Sequence, residues 1–340
     1  MSDDLAAVVA RADTDEAVTA LRQAGVYDDT RRIEPVGDDE LALPVVAAPD
    51  RATVAALDPV ARVEPVDLPT RRRGLDDLLA DRGWDEDAIA RAPASWAVLG
   101  SVVLVDVADL DDDEETAVGE ALLELHGGAD TVLAREGIDG QRREPSVRVI
   151  AGVGDTETVH VEHGVRYGMD LAAVMFSPGN KAERRRMGEV VASDETVFDM
   201  FAGIGYFTLP MARAGANVTA TEIRPAALRQ LVENAQLNDV TDRVSAYRAD
   251  CREVTVDGAD RVVMGHYEAP DYLPTALAAL APGGTVHCHA AVPEAELGRT
   301  ERRLREAVAE AGRTVERAER RRVKSHSEGV AHVVVDAVVG

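Results

Sequence analysis

Hydrophobic positions recur with two periods along this chain, and the switches between them predict its elements. DEAVTALRQAGV carries apolar residues at helical spacing, and DDELALPVVA follows as an apolar run of strand length. VEPVDLPT and the triplet Arg71-Arg72-Arg73 break the pattern and read as a linker. Helical spacing returns in GLDDLLADRGW, then gives way to the Val/Leu-rich, strand-like SWAVLGSVVLVDVADL. An acidic stretch from Asp106 to Glu115 leads into the helix candidate AVGEALLELHGG and the strands TVLARE and VRVIAG. TVHVEHGVRYGMDLAAVMF alternates on both sides of a central Gly, which predicts a hairpin.

From about residue 171 the rhythm becomes a regular strand–helix alternation, the pattern of a doubly wound sheet. The expected strands are TVFDMF, NVTATEI, VSAYRAD, DRVVMGH and GGTVHCHAAV, with helices GYFTLPMARAG, PAALRQLVENAQLN and LPTALAALAPG between them. A long helix is expected over Glu294–Ala311, then two late strands, TVERAERRRVKS and AHVVVDAVVG. Five crossover strands and a terminal pair make a sheet of about seven, a methyltransferase-type count rather than a six-stranded dinucleotide fold. The expected organisation is a small module over 1–70, a mixed α+β domain over 71–170 and an α/β domain over 171–340.

Composition adds limits to this picture. The 340 residues are 46% hydrophobic, enough for two or three domains with real cores. No run of 18 apolar residues exists to span a membrane, and the acidic N-terminus is unlike an export signal. Two cysteines, Cys251 and Cys288, do not make a disulfide framework, so a cytoplasmic protein is expected. Acidic residues number 62 against 37 basic, a net charge of −25, and all the basic residues but Lys181 and Lys324 are arginine. Such a surface resembles that of a salt-adapted protein, whose self-repulsion is screened at high ionic strength. The negative total does not exclude nucleic acid, because at high salt the counterion term fades and local patches decide.

The sharpest motif is Asp199-Met200-Phe201-Ala202-Gly203-Ile204-Gly205-Tyr206, at a strand end and a helix start. Gly203 and Gly205 permit a tight turn and close backbone approach to a ligand, and the helix offers free N–H groups. A dinucleotide fingerprint wants a third Gly where Thr208 stands. An acid ahead of a two-Gly loop suits S-adenosylmethionine, which is cationic and has no pyrophosphate. Glu222 ends the next strand, where a carboxylate takes ribose hydroxyls, and Asp250 ends the third, where it accepts from adenine, with Cys251 beside it. Each acid alone is also explained as a helix cap or solvated turn.

Together with Phe176-Ser177-Pro178-Gly179-Asn180-Lys181-Ala182-Glu183-Arg184, these residues resemble a known pair of families. The pair comprises the tRNA guanine-37 N1-methyltransferases and the tRNA(Phe) 4-demethylwyosine aminocarboxypropyltransferases of wyosine biosynthesis. The likeness runs from LRQAGVYDDTRRI to the tail RVKSHSEGVAHVVVDAVV. It implies a class I, Rossmann-like seven-stranded sheet and S-adenosylmethionine as donor substrate, with no metal. It also implies a pocket lined by Ser177, Arg184, Glu222, Asp250 and Cys251, with Lys181 as a further candidate. Arg184 suits a carboxylate, its alternative being a structural pair with Glu183 or a helix neighbour.

The methyltransferase branch usually carries Arg after Phe-Ser-Pro and Asn-x-Pro at the end of the fourth strand. This chain has Gly179-Asn180 and Gly265-His266-Tyr267 there, which resembles the aminocarboxypropyl branch, as does the His-rich Val286-His287-Cys288-His289. The expected reaction moves the 3-amino-3-carboxypropyl group to C7 of 4-demethylwyosine at position 37, releasing methylthioadenosine. Methyl transfer to guanosine 37 N1 is the first alternative, and a non-catalytic tRNA-binding protein keeping the fold is the second. No catalytic residue is assigned; Asn180, His266 and Tyr267 are positioning candidates. His287 and His289 share a strand face and are candidates to line the substrate cavity. Tyr206 and Phe207 read as core. Between Arg299 and Lys324 ten basic residues face five Glu, and Arg320, Arg321, Arg322 and Lys324 are candidates for tRNA phosphates. The expected partner is the tRNA(Phe) anticodon loop, with no membrane; the oligomeric state stays open, a monomer being favoured.

Overall fold

The computed structural model describes residues 5–37, 39–47, 62–71, 74–139 and 144–340. Arg72 and Arg73 of the expected linker lie outside these residues. The chain packs as two compact units, residues 1–83 and 84–340.

In the first unit β1 (Leu5–Ala10), β2 (Glu34–Pro35), β3 (Glu40–Val45) and β4 (Arg62–Pro65) form a sheet in the order β2-β3-β1-β4. The amphipathic α1 (Thr14–Gln23) buries Ala17 and Leu21 against Ala7, Val9, Leu43 and Val45. A short α2 (Leu75–Asp81) closes the unit.

The second unit opens with α3 (Glu86–Arg91). The apolar run after it is two strands rather than one, β5 (Trp96–Leu99) and β6 (Val102–Val105). The chain turns at Gly100, whose φ is +58° and where a Cβ would meet Thr158 Oγ1 at 2.2 Å. Then come α4 (Asp112–Leu125), β7 (Thr131–Asp139) and β8 (Glu144–Gly152), giving a four-stranded sheet in the order β5-β6-β7-β8. The expected hairpin is β9 (Glu157–Glu162) and β10 (Val165–Asp170). It turns at His163 and Gly164, both at positive φ, which matches the twist of paired strands.

After α5 (Lys181–Val190) comes the doubly wound part. Its strands are β11 (Thr196–Asp199), β12 (Asn217–Thr221), β13 (Val244–Tyr247), β14 (Ala259–Met264), β15 (Leu280–Pro293), β16 (Val315–Ser327) and β17 (Val330–Val339). Their order is β13-β12-β11-β14-β15-β17-β16, parallel up to β15 and antiparallel thereafter. The helices are α6 (Thr208–Arg213), α7 (Pro225–Leu237), α8 (Leu273–Ala279) and α9 (Arg299–Glu310). The helix expected from Glu294 starts only at Arg299, because Pro293 and Gly298 confine Glu294–Glu296 to a separate 3-10 turn.

Neighbouring residues of β11 point to opposite faces and seed two cores. Val197 packs with Val218, Leu231 and Ala235, and Phe198 with Val262, Leu273, Leu277 and Leu304. Asn234 and Asn238 of α7 bind the hairpin to the sheet, bonding to the backbone N–H and C=O of Gly168 and of Arg166 at 2.7–3.0 Å. This fixes the segment after β10, which carries Ser177 and Asn180, over the carboxyl ends of the central strands.

Candidate active site

A crevice of about 220 Å³ opens at those ends. Crossovers leave β11, β12, β13 and β14 there, so residues far apart in sequence meet. Its wall includes Ser177, Asn180, Arg184, Gly203, Glu222, Asp250, Cys251, His266 and Tyr267, all named from the sequence.

The glycine loop turns where a side chain has no room. Gly203 has φ +57°, and a Cβ there would meet the Tyr206 ring at 2.4 Å. Gly205, at φ +100°, lies against Leu209 and Leu231 and supports the turn from behind. Glu222 is mostly buried and ties the loop to the next strand. It accepts from the Gly203 N–H at 2.9 Å and the Arg224 N–H at 2.8 Å. Burial pushes its carboxyl up, and these bonds oppose the rise. Asp250 accepts from Arg252 Nε at 2.8 Å and from the Arg252 N–H at 3.0 Å. Hydrogen bonds from Arg252 hold it at about 2, while burial pushes the adjacent Cys251 thiol up to about 12. Arg252 in turn lies over Tyr272, which meets Phe201 edge-on at 5.0 Å.

Three expectations change on contact with the geometry. Asp199 is fully buried behind the loop and does not line the crevice. Its carboxylate accepts from Thr208 Oγ1 at 2.7 Å, so Thr208 anchors the loop. Burial pushes Asp199 up to about 6 against this bond and that from the Phe201 N–H. Arg184 lines the wall, but its fork is held by Glu162, with Nε to Oε2 at 2.7 Å and Nη2 to Oε1 at 2.9 Å. Its third contact is the Ser177 carbonyl at 2.9 Å. The pair is structural, and its carboxylate comes from the hairpin, not from Glu183. Lys181 is exposed and off the wall, as its place on the first turn of α5 points it outward.

The basic stretch also divides. Arg320 is exposed on β16. Arg321 turns inward onto Asp336 and onto Glu183, the latter at 2.7 Å, and Arg322 bonds Glu294 at 2.6 Å. Lys324 reaches Ser177 Oγ at 2.6 Å, and Gly179 makes space for it, since a Cβ there would stand 2.9 Å from Lys324 Cδ.

Phe207 is buried in the core with Tyr206 packed against it, as expected, and both also line the crevice. His287 and His289 do not; His287 is bonded to Asp336 at 2.6 Å. Besides His266, the wall carries His332, from the last strand, whose sequence context is a plain run of valines. Among the described residues no cluster of His, Cys, Asp and Glu is arranged for a metal, and no helix is long and apolar enough to cross a membrane.

A 3-2-1-4-5-7-6 strand order with a glycine loop after the first strand and an acid after the second defines the class I S-adenosylmethionine-dependent transferases. Residues 158–316 match the TRM5/TYW2 methyltransferase domain, and residues 75–156 match the TYW2 N-terminal domain. The chain belongs to the TRM5/TYW2 family. A Pyrococcus horikoshii protein named tRNA(Phe) (4-demethylwyosine(37)-C(7)) aminocarboxypropyltransferase is 38% identical over 255 residues, 74% of this chain and 91% of the relative. The crystal structure of P. horikoshii TYW2 in complex with MeSAdo superposes with a TM-score of 0.68 and 36% identity, covering 78% of this chain and 97% of that one. That of Trm5b from Pyrococcus abyssi gives 0.77 at 28% identity and covers 99% of both chains.

Proposed function

We propose that this chain transfers the 3-amino-3-carboxypropyl group of S-adenosylmethionine to C7 of 4-demethylwyosine at position 37 of tRNA(Phe), in the anticodon loop. The observation that carries this reading is Gly265 at the end of β14. A Cβ there would meet Phe207 Cε2 at 2.7 Å, so the aromatic ring fills the place next to the backbone where the methyltransferase branch keeps an asparagine. Methylating N1 of guanine requires a ring proton to be removed, and this chain has no amide at that position to polarise it. A carbon nucleophile needs mainly to be aimed, which suits a wall of rings.

The residues fit the donor. The Gly203 turn lets the Tyr206 ring pack directly on the loop backbone, and the Glu222 and Asp250 carboxylates are matched to ribose hydroxyls and to the adenine amino group. When bound, the donor supplies a sulfonium that makes its attached carbons electrophilic. The chain's own part is to hold the loop, exclude water with Phe201, Tyr206, Phe207 and Tyr272, and present the base beside Tyr267. Residues 71–170 are proposed to contact the tRNA body, with the exposed Arg320 on a phosphate.

A second reading is methyl transfer to N1 of guanosine 37. It is favoured by the match to P. abyssi Trm5b along 99% of this chain, against 78% for the TYW2 structure. Donor labelled in the carboxyl carbon or in the methyl carbon, incubated with undermodified tRNA(Phe), separates the readings. Carboxyl label in the tRNA is the expected result, methyl label supports the second reading, and neither leaves a tRNA-binding protein without catalysis.

A further inference from the structure

His332 is 1% exposed, yet it belongs to the crevice wall. It stands on β17 opposite Ala291 of β15 and Lys324 of β16. Its Nε2 lies 3.0 Å from Nδ1 of His289 behind it, and its Nδ1 is buried with no hydrogen-bond partner among the described residues. Tyr267 meets the ring edge-on at 5.0 Å, and Phe207 flanks His289 at 5.1 Å, so both imidazoles are held in place. An unpaired buried nitrogen opposes folding, and one on a cavity wall is poised for an atom of the occupant.

Three other titratable groups of the wall are engaged. Glu222 is held by two backbone N–H groups, Asp250 by Arg252, and His266 Nδ1 accepts from the Glu268 N–H at 3.2 Å. We propose that His332 is a catalytic base, its Nδ1 accepting the proton that the acceptor carbon releases during aminocarboxypropyl transfer. This rests on the function proposed above. C7 of the base bonds to the donor's Cγ, and the Cγ–S bond breaks with its electron pair on sulfur, which leaves as the neutral thioether. The hydrogen on C7 departs as a proton to Nδ1, its bonding pair restores the aromatic ring, and the imidazolium later releases the proton to solvent. The tautomer required has Nε2–H donating to His289 Nδ1, leaving the Nδ1 lone pair of His332 unshared.

The titratable and charged groups around His332 are Lys324 and His326 on β16, His289 on β15 and Tyr267 after β14. Burial first, then Lys324 and His326, pulls its pKa down to about 4, so the ring is neutral and able to accept at neutral pH. A weak base suffices, because rearomatisation drives the proton off.

The test uses the full chain, with His332→Ala and the volume-keeping His332→Gln. Donor affinity by calorimetry should stay within a few fold of wild type. Transfer kcat should fall by about a hundredfold, and imidazoles of rising basicity should rescue His332→Ala progressively. Substrate deuterated at C7 should show a primary isotope effect in the variants and none in wild type. In the free wild-type protein, 15N shifts should report a pyridine-type Nδ1 and a pyrrole-type Nε2. Unchanged kcat, rescue independent of basicity, or the opposite tautomer would overturn the proposal. If wild type moves only methyl label, or no label, the functional reading falls and this step with it. Active wild type with indifferent variants removes His332 alone.

Discussion

Arg184 and Glu162 face each other with two parallel hydrogen bonds, at 2.7 and 2.9 Å, and each side chain is at most 3% exposed. The pair joins α5 to β9, and through the Ser177 carbonyl it also fixes the crevice wall. Burial pushes the Glu162 carboxyl up, but bonds from His160 and Arg184 outweigh it and hold it at about 2. Removing one member leaves the other charge buried and unpaired. Arg184→Ala is expected to lose about 3–5 kcal/mol in urea unfolding, with Arg184→Lys a poor substitute because it lacks the fork. The folded-state value lies below the ordinary 4.5, so the pair's stabilisation is complete above that pH and disappears as pH falls toward about 2. Arg184→Ala should flatten this part of the stability–pH curve.

Asp199 has the opposite sign. Its folded value of about 6 stands above the ordinary 3.8, so the folded state binds the proton more tightly. Its contribution is fully present below pH 3.8 and is lost as pH rises through about 6. Asp199→Asn keeps an acceptor for Thr208 without the buried charge. It is expected to gain on the order of 2–3 kcal/mol over wild type at pH 8, and to match it at pH 4, by denaturant unfolding at the two pH values.

Arg320 and Arg321 are adjacent on β16 and should respond differently. Arg320→Ala is expected to weaken tRNA binding and to reduce the slope of log affinity against log salt by about 1. Arg321→Ala strips a counter-charge from Asp336 and Glu183, so its main effect should be on unfolding, with the salt slope unchanged. Filter binding across a salt series, beside thermal melts, checks both.

Gly265→Asn restores the residue expected of the methyltransferase branch, but the site is occupied. Its Cβ falls 2.7 Å from Phe207, whose ring lies 5.1 Å from that of His289. The substitution is expected to cost about 1–3 kcal/mol through overpacking and to lower aminocarboxypropyl transfer without creating methyl transfer. Melting temperature and the two-label assay report the outcomes separately.

Much of the architecture was written in local pattern. Alternating strands and helices from residue 196, the hairpin at Gly164 and the glycine loop need only near neighbours to be recognised. Glu222 and Asp250 were legible because strand ends in a parallel sheet converge on one edge. Which carboxylate meets Arg184 was not legible, since Glu162 is 22 residues away on another element and helical spacing points only to nearer acids. Nor was the inward turn of Arg321, the burial of Asp199 behind Thr208, or the arrival of His332 from the last strand. Sequence by itself determined the elements, the cofactor loop and the family's chemistry, because periodicity and turn geometry are local. Tertiary structure alone decided which charged and polar groups are used up in the frame and which line the crevice, because burial and pairing depend on surfaces that meet only when the sheet is wound.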